Sequence, residues 1–444
     1  MTRSVRLCLL VASFSAAQTA AAIDLIQVYR DARAFDAQYA AARYALQAGQ
    51  EKLPQGRALV LPTLGLTAGD TQSHLGLAHY GPNPVPESAR TFYNRNYVLS
   101  FSQPLYRAQN MIQYDQAEYQ VRQAEATFAQ AEQDLIVRVV QAYVDVLSAR
   151  DTVEVARAQT IAIGEQLAQA KRNFEVGTAT ITDTHEAQAR FDLSKSQEIL
   201  AQNDLDNKLR ALQQITGKLY PDLQPLRPDM KVSPPEPNNM QSWTELAEKQ
   251  SYPVQIQEAA TEIAKLSAKF SRAGHYPTID LVATYGQTQQ TGSTLTATSS
   301  QLNLGSFGVQ LALPLYQGGA ISSREREAAA LYEKSMQDLE NARRSTALAA
   351  QQGFLGVING IAQVGALEQA LVSTQSALDS NKLGYEVGVR INIDVLNAQQ
   401  QVFTTRRDLL LARYNTILNL IKLRAAAATL KEEDLQIMNR ALAQ

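Results

Sequence analysis

A long internal duplication constrains the fold of this 444-residue chain more than any other feature. The sequence FEVG at 174–177 returns as YEVG at 385–388, and PLY at 104–106 returns as PLY at 314–316. Other matches fall at nearly the same spacing. Each half is therefore predicted to contain the same series: a short helix, two strands joined by a loop, a very long helix, a sharp turn and a second long helix.

The duplication divides the chain into five predicted segments. Residues 1–22 are predicted to be a cleaved signal peptide, because Arg3 and Arg6 precede an apolar run that ends in small residues. The lone cysteine, Cys8, lies in this leader, so no disulfide is expected in the mature chain. The repeats occupy 23–216 and 254–430, and 431–444 form a C-terminal tail. Seven of the fifteen prolines lie in or at the end of the connector 217–253, which predicts an irregular segment without helix.

Four segments alternate apolar residues with small or polar ones, which predicts strands with one apolar face. In the clearest segment, Phe307, Val309 and Leu311 alternate with Gly308 and Gln310. The runs have about 10–13 residues, enough for a tilted strand to cross a bilayer. Polar loops at 73–91 and 288–300 are predicted to join them. The alternative interpretation of this pattern is half of a soluble β-sandwich.

Aromatic residues flank these runs, as they do at membrane–water interfaces. They are Phe92, Tyr93 and Tyr97 at one end, and Tyr106, Tyr276 and Tyr316 at the other. Four strands cannot close a barrel, and an open sheet edge is not tolerated in lipid. If the strands cross a membrane, several chains must share one barrel, and three chains supply twelve strands, an even number.

A proline stands at the same end of every predicted strand, where the chain would pass from barrel to helix. These residues are Pro62, Pro104, Pro277 and Pro314. The proline-free segments 108–172 and 320–384 predict helices on the order of 100 Å long. In the first, mostly apolar residues recur at steps of four and three, which indicates coiled-coil packing. Each long helix is predicted to turn back into a partner helix, at 184–216 or 395–430.

The sequence resembles the TolC family of outer-membrane exit channels. The resemblance rests on SQPLY at 102–106, LALPLYQGG at 311–319, GYEVG at 384–388 and DVLNAQ at 394–399. It implies an α+β membrane protein: a trimeric β-barrel of twelve strands, four per chain, that continues into a long α-helical coiled-coil periplasmic tunnel. It also implies a Gram-negative outer-membrane location.

By this resemblance the homotrimer is the exit duct of a tripartite type I secretion or efflux system, carrying protein or small-molecule cargo. It is expected to dock with a periplasmic adaptor (membrane fusion) protein and an inner-membrane pump, either an ABC exporter or a proton-driven pump. Outer-membrane lipid is a further partner. No cofactor, metal, catalytic residue or nucleic acid is expected. The near balance of 41 basic and 43 acidic residues also argues against a nucleic-acid surface.

The two hairpin turns contain the candidate site. Gly177 and Gly388 are predicted to end the long helices. Asp183 and Asp394 are predicted to be N-caps of the returning helices, with Asp183 in a capping box. The family resemblance adds that the tip is held closed by Thr182, Asp183, Tyr385 and Arg390. It also places Asp394 and Asn397 in a cation-selective constriction, where Asn397 replaces a second aspartate.

Other protein classes fit parts of the sequence. A trimeric coiled-coil surface fibre or adhesin would explain the leader and the heptads, but not the paired strands in each repeat. A periplasmic adaptor normally lacks two long bilayer-facing hairpins. An enzyme is disfavoured, because the four histidines do not show the spacing of metal ligands. The sequence outside the leader also lacks an apolar run of about 18 residues, so no helical membrane span is expected.

Overall fold

The computed structural model of the chain describes residues 23–77, 88–227, 232–293, 298–440 and 442. The predicted leader, with Cys8, lies outside these residues. The described helices are α1 (Leu25–Phe35), α2 (Ala37–Gln50), α3 (Lys52–Ala58), α4 (Ala108–Glu175), α5 (Ile181–Thr216), α6 (Met240–Gln250), α7 (Tyr252–Arg272), α8 (Ala320–Glu386), α9 (Asn392–Ala426) and α10 (Glu432–Arg440). The strands are β1 (Thr63–Leu77), β2 (Ser88–Arg107), β3 (Thr278–Gln290) and β4 (Ser300–Ala312).

The four strands form one antiparallel sheet in the order β1-β2-β3-β4. Its register places Leu66 beside Leu99, Leu99 beside Tyr285, and Ala283 beside Phe307, so the apolar residues share one face. This face is uncovered: Leu66 is 72% exposed and Phe307 is 77% exposed. No second sheet packs on it within the described chain, which removes the soluble-sandwich interpretation. Within one chain, β1 and β4 remain open edges.

The strands are longer than the alternating runs predicted. The β1–β2 ladder continues as far as the pair Leu77–Ser88, and β3 and β4 pair as far as Gln290 and Ser300. The predicted loops 73–91 and 288–300 are therefore partly strand, and their parts at 78–87 and 294–297 lie outside the described residues. Antiparallel pairing satisfies the backbone beyond the apolar band, so the ladder does not end where the apolar pattern ends.

The long helices confirm the predicted duplication of very long helix, turn and long helix. α4 has 68 residues and α8 has 67, each on the order of 100 Å. α4 packs against α5, α8 packs against α9, and α7 lies between α4 and α8. Many residues of the predicted α4 coiled-coil seam, such as Val139, Ile163 and Leu167, are buried.

The surface of α8 is unusually apolar. Among the described residues it is the one helix with an 18-residue stretch long and apolar enough to cross a membrane, by length and composition alone, and 6% of that stretch is buried in the chain. This stretch departs from the expectation that no apolar run of about 18 residues lies outside the leader. Large side chains of α8 that point away from the chain include Leu348, Leu355 and Val372. A face of this kind indicates an interaction surface.

The prediction that 217–253 lacks helix is wrong, because α6 lies within it at Met240–Gln250. Prolines at 237 and 253 leave a gap long enough for this helix, and Pro253 occupies the first turn of α7, where a missing N–H costs nothing. Trp243 of α6 packs in a small core with Phe354 and Leu423. The prediction considered the proline content of the whole segment and did not consider the stretch between Pro237 and Pro253, which contains no proline.

The largest core joins the two ends of the described chain. Val28 of α1, Tyr143 of α4, Leu223 of the connector and Leu435 of α10 belong to it. Ile23 forms an isolated parallel bridge with Leu223. The N-terminal helices, the connector and the C-terminal helix thus pack around the middle of α4.

Candidate gating site and membrane surfaces

Each long helix ends in the same glycine turn. Gly177 and Gly388 have φ angles of +79° and +80°, a left-handed conformation that strains other residues. In the first turn the amide of Thr178 donates to the carbonyl of Asn173 at 2.8 Å, and in the second the amide of Val389 donates to Gly384 at 2.9 Å. These six-to-one bonds define a Schellman motif in both turns. The predicted place of the two glycines at the helix ends agrees with this geometry.

The predicted N-caps are wrong in both hairpins. α5 begins at Ile181, and its N-cap is Thr180, whose hydroxyl accepts from the amide of Asp183 at 3.3 Å. Asp183 Oδ2 in turn accepts from the amide of Thr180 at 3.0 Å, which completes a capping box one turn earlier than predicted. The acceptor hydroxyl decides the helix start, and the aspartate occupies the third helical position.

The second hairpin lacks this cap. Ile391 occupies the N-cap position of α9, where no side chain can accept an amide proton, and Asp394 lies in the first turn. The amide of Asp394 instead donates to the carbonyl of Ile391 at 3.1 Å. The duplicated turns therefore share their backbone but differ in how their returning helices begin.

A cleft of about 560 Å³ lies between the two turns. It is lined by three of the four predicted closure residues, Asp183, Tyr385 and Arg390, and also by Asn173. Asn173 Nδ2 donates to the hydroxyl of Tyr385 at 3.2 Å and links the end of α4 to the end of α8. The fourth predicted residue, Thr182, is exposed and does not line this cleft.

The two predicted selectivity residues have charged neighbours in the same chain. Arg390 Nη1 lies 3.6 Å from Asp394 Oδ2, and Arg390 precedes the start of α9 whereas Asp394 lies in its first turn. Arg190 of α5 donates from Nη2 to Asn397 Oδ1 at 3.0 Å. Because both pairs are largely exposed, each attraction is weak and is screened by salt. Arg390 nevertheless offsets part of the negative charge that Asp394 presents at the tip.

The sequence did not indicate three polar residues near the tip. Asn173 and Arg190 each contact a residue more than 200 positions away, which a local pattern cannot reveal. Asn392 is 3% exposed, and its Nδ2 atom has no hydrogen-bond partner, although it lines the cleft. The equivalent residue in the first repeat is apolar Ile181, so a comparison of the repeats could have identified Asn392.

The four prolines lie at one end of the sheet. Pro62 and Pro277 directly precede β1 and β3, and Pro314 follows β4. Pro104 lies inside β2, where the register with β3 shifts. Three residues later β2 passes directly into α4, and Arg107 donates from Nε and Nη2 to the two carboxylate oxygens of Asp280, both at 2.7 Å. This bidentate pair ties the start of α4 to β3.

The sequence matches the family model described as "Outer membrane efflux protein" at residues 28–218 and 243–429. It is 33% identical over 420 residues to outer membrane protein TolC of Vibrio cholerae, which covers 94% of each chain. It is 31% identical over 442 residues to the proteases secretion protein PrtF of Dickeya chrysanthemi, which covers 98% of this chain and 94% of the relative.

The fold agrees with these matches. The crystal structure of the outer membrane protein VceC of Vibrio cholerae superposes with a TM-score of 0.77, at 18% identity, over 91% of this chain and 95% of that one. A four-stranded sheet with an uncovered apolar face and two long helical hairpins are thus parts of a known membrane-channel fold. Sequence and structure together show that the chain belongs to the outer membrane efflux protein family.

Proposed function

We propose that three copies of this chain form the exit duct of a tripartite secretion or efflux system in the outer membrane of a Gram-negative bacterium. In this assembly the sheets join into one barrel of twelve strands, and the helices continue the lumen through the periplasm. Cargo passes from an inner-membrane pump through an adaptor into the duct. A cleaved leader at 1–22 is part of this proposal. We propose no catalytic role.

The direct continuation of β2 into α4 carries the proposal. The last residue of β2 is Arg107 and the first residue of α4 is Ala108. A strand with an exposed apolar face therefore continues without a linker into a helix of 68 residues. A surface-exposed fibre has no need of the uncovered apolar sheet, and the family assignment leaves the fibre alternative without support.

Two uncovered surfaces support the trimer. The edges β1 and β4 each present an unpaired row of backbone groups, which lipid cannot satisfy, and neighbouring copies can pair them. The apolar face of α8, with Leu348 and Leu355, is exposed in a single chain. A neighbouring copy that pairs through the sheet edge can also cover this helix. Both surfaces are then explained by one arrangement.

Two relatives that match almost the whole chain are named for the secretion of proteases. PrtF is named a proteases secretion protein, and the match covers almost the whole chain. On this basis we propose a protein cargo and, as the pump, an ABC exporter rather than a proton-driven pump.

The cleft between the turns supports a closure at the periplasmic end. We include in the proposal that Tyr385 and Arg390 of one chain, with Thr182 and Asp183, hold the tip closed through a few hydrogen bonds per chain. Asp394 then supplies a ring of carboxylates at the constriction, with Asn397 as a neutral neighbour. A few such bonds in each of three chains are enough to hold a two-state closure.

The test uses full-length protein purified from outer membranes in detergent. Native mass spectrometry is expected to give three times the mass of the mature chain, and the protein is expected to conduct ions in planar bilayers. In a host strain that lacks its own exit duct, co-expression with the matching exporter and adaptor should restore secretion of the exporter's substrate. A stable monomer with full conductance contradicts the trimer, and a trimer without conductance contradicts the duct.

A further inference from the structure

A row of polar side chains crosses the sheet just beyond its apolar band. Its members are Asp70, Arg95, Gln289 and Gln301, one from each strand and direct neighbours in register, and we name them the outer polar row. Arg95 lies four residues from Leu99 along β2, and Gln289 lies four residues from Tyr285 along β3. Since side chains alternate between faces, the outer polar row lies on the same face as the apolar band.

The position of this row relates it to the membrane. The four prolines mark the opposite end of the sheet, next to the helices. Two residues along a strand span roughly 7 Å, so the row lies about 13 Å beyond Leu99 and Tyr285, on the side away from the periplasm. In the barrel of the proposed function, on which this inference rests, the row is at the level of the lipid headgroups of the outer leaflet.

The row borders a cavity of about 690 Å³, whose other lining residues are Tyr93, Gln290, Thr291, Ser299 and Ser300. Arg95 donates from Nε and Nη2 to Asp70 Oδ2 at 3.2 and 3.0 Å, and both side chains remain half exposed. Gln289 Nε2 donates to Gln301 Oε1 at 3.3 Å. The ring of Tyr93 is 49% exposed beside them. The cavity thus offers amide donors and acceptors, a guanidinium, a carboxylate and an aromatic face.

This set of groups suits a sugar that carries a phosphate. Side-chain amides and a carboxylate bond the hydroxyls of a sugar ring, an aromatic ring packs on its C–H face, and an arginine contacts phosphate. The arginine and the aspartate balance in charge, so the cavity does not select a bare anion. Position decides the source, because the outer polar row lies on the face that meets lipid in the proposed barrel, whereas a soluble sugar inside the duct would meet the opposite face.

We propose that the outer polar row binds the phosphorylated glucosamine headgroup of lipopolysaccharide, the glycolipid of the outer leaflet. The acyl chains of the same molecule then lie against the apolar band formed by Leu66, Leu99 and Tyr285. The site fixes the height of the barrel in an asymmetric membrane, because it matches only the leaflet that contains this sugar.

The test measures lipid binding to the trimer after removal of co-purified lipid. Native mass spectrometry gives the affinity for lipid A and for phosphatidylglycerol. We expect Arg95→Ser and, separately, the pair Gln289→Ala with Gln301→Ala to weaken lipid A binding by about tenfold, from the loss of one charged or two neutral hydrogen bonds. The matched control is Gln310→Ala, a glutamine on the other face, which should bind lipid A as the wild type does.

Two results would overturn the inference. One is wild-type affinity for lipid A in both sets of variants, and the other is equal affinity of the wild-type protein for phosphatidylglycerol and lipid A. Conductance of the same variants in bilayers without lipid A separates this inference from the proposed function. Variants that form conducting trimers but do not differ in lipid binding contradict only the lipid site, whereas wild-type protein without conductance contradicts the duct.

Discussion

Tyr385 and Arg390 have separate partners within one chain, which makes a double substitution at the tip informative. Tyr385→Phe removes the hydroxyl that accepts from Asn173, and Arg390→Ser removes the guanidinium beside Asp394. Neither change touches the capping box of Thr180. We expect a several-fold rise in single-channel conductance with unchanged trimer stability, because the proposed closure of the tip loses these groups.

The same double variant should also show a stronger preference for cations, because Asp394 loses its neighbouring positive charge. Single-channel recording and reversal potentials in a salt gradient measure the two effects. Asp394→Ala serves as the comparison: its cation preference should fall, with a smaller change in conductance. Conductance equal to that of the wild type would remove the closure role of Tyr385 and Arg390.

Asp36 links the N-terminal helices to α4 and gives stability a pH dependence. Its carboxylate is 6% exposed, accepts from both terminal nitrogens of Arg138 at 2.9 Å, and caps α2 through the amide of Tyr39 at 2.7 Å. The hydrogen-bonded Arg138 guanidinium holds the pKa of Asp36 below its ordinary value. The contribution of the ionised Asp36 to the free energy of unfolding is fully present above the unfolded-state pKa, near 3.9. It is lost as the pH falls through the lower folded-state pKa.

We therefore expect Asp36→Asn to lower the free energy of unfolding by about 3 kcal/mol at pH 7. Below about pH 4 its difference from wild type should shrink. Denaturant unfolding, followed by helical circular dichroism across this pH range, measures the difference. Burial raises the pKa of Asp151, so this group changes the stability with pH in the opposite direction. Because Asp151 is present in both proteins, its effect cancels in the difference between their free energies of unfolding. Asp338→Asn, in an exposed pair with Lys334, is the control, and an equal loss in both variants would contradict the prediction.

The first hairpin contains two possible capping boxes, which explains why the predicted N-cap of α5 is wrong. Asp183 and Glu186 have the spacing of a capping box, and so do Thr180 and Asp183. The two frames differ by three residues, and the structure uses the earlier one because the chain leaves the glycine turn at Thr178. Contacts such as Asn173 with Tyr385 depend on how two hairpins pack, which the pattern of either hairpin leaves open.

At the level of elements, depth in the membrane should determine how β4 tolerates charge. Phe307 lies in the middle of the apolar band, in register with Ala283, whereas Leu311 is one residue from the end of the strand. Phe307→Arg should cost about 2–4 kcal/mol, and Leu311→Arg at the interface about 0–1 kcal/mol. The yield of assembled trimer in outer-membrane fractions, on gels of unheated samples, measures insertion.

Ser306→Arg is the matched control for Phe307→Arg, because the neighbouring side chain points to the other face, where Ser306 bonds Thr284. We expect it to insert normally, since this face lines the aqueous lumen. Similar losses from Phe307→Arg and Ser306→Arg would show that the two faces have been assigned the wrong way round.

The elements differed in how readily they could be predicted. The long helices follow from proline-free sequence and a regular seam, so α4 ends within a few residues of its predicted limit. The predicted strands are shorter than the observed ones, because the alternation of apolar residues stops at the edge of the bilayer while the hydrogen-bonded ladder continues into water. The prediction does not include α6, because it rested on the seven prolines of the whole segment and ignored the proline-free stretch between Pro237 and Pro253.

At the scale of the whole molecule, α10 joins the two ends of the described part of the chain. Asn439 Nδ2 donates to Asp24 Oδ2 at 3.0 Å and its Oδ1 accepts from the amide of Leu25 at 3.2 Å, while Leu435 is fully buried in the core. Leu435→Ala should lower the free energy of unfolding by about 2–5 kcal/mol. Thermal unfolding and protease resistance of α1 measure the effect. The exposed neighbour Glu433→Ala should match the wild type, and a Leu435→Ala protein as stable as the control would contradict the role of α10.

The duplication allowed the order of strands, long helices and turns within each repeat to be predicted, because each repeat is an independent example of the same series of elements. It did not predict where the repeats diverge. The first repeat enters its strands through α2 and α3, and the second through α7 and a short 3-10 helix at Ala273–His275. α2 and α3 pack on α4, whereas α7 packs on both α4 and α8, and contacts between elements so far apart in the sequence are not visible in a local pattern.

One divergence between the repeats has a kinetic consequence. The returning helix of the first hairpin has the hydroxyl of Thr180 to hold its first turn, and that of the second has Ile391 in the same place. A side-chain cap contributes about 1 kcal/mol, so the first turn of α9 should open roughly five times more often than that of α5. Amide hydrogen exchange at residues 392–395 should therefore be faster than at 181–184. In a duct built from two copies of one hairpin, the returning helix of the first hairpin thus has the more stable first turn. The second hairpin, whose returning helix opens more often, contains Tyr385 and Arg390.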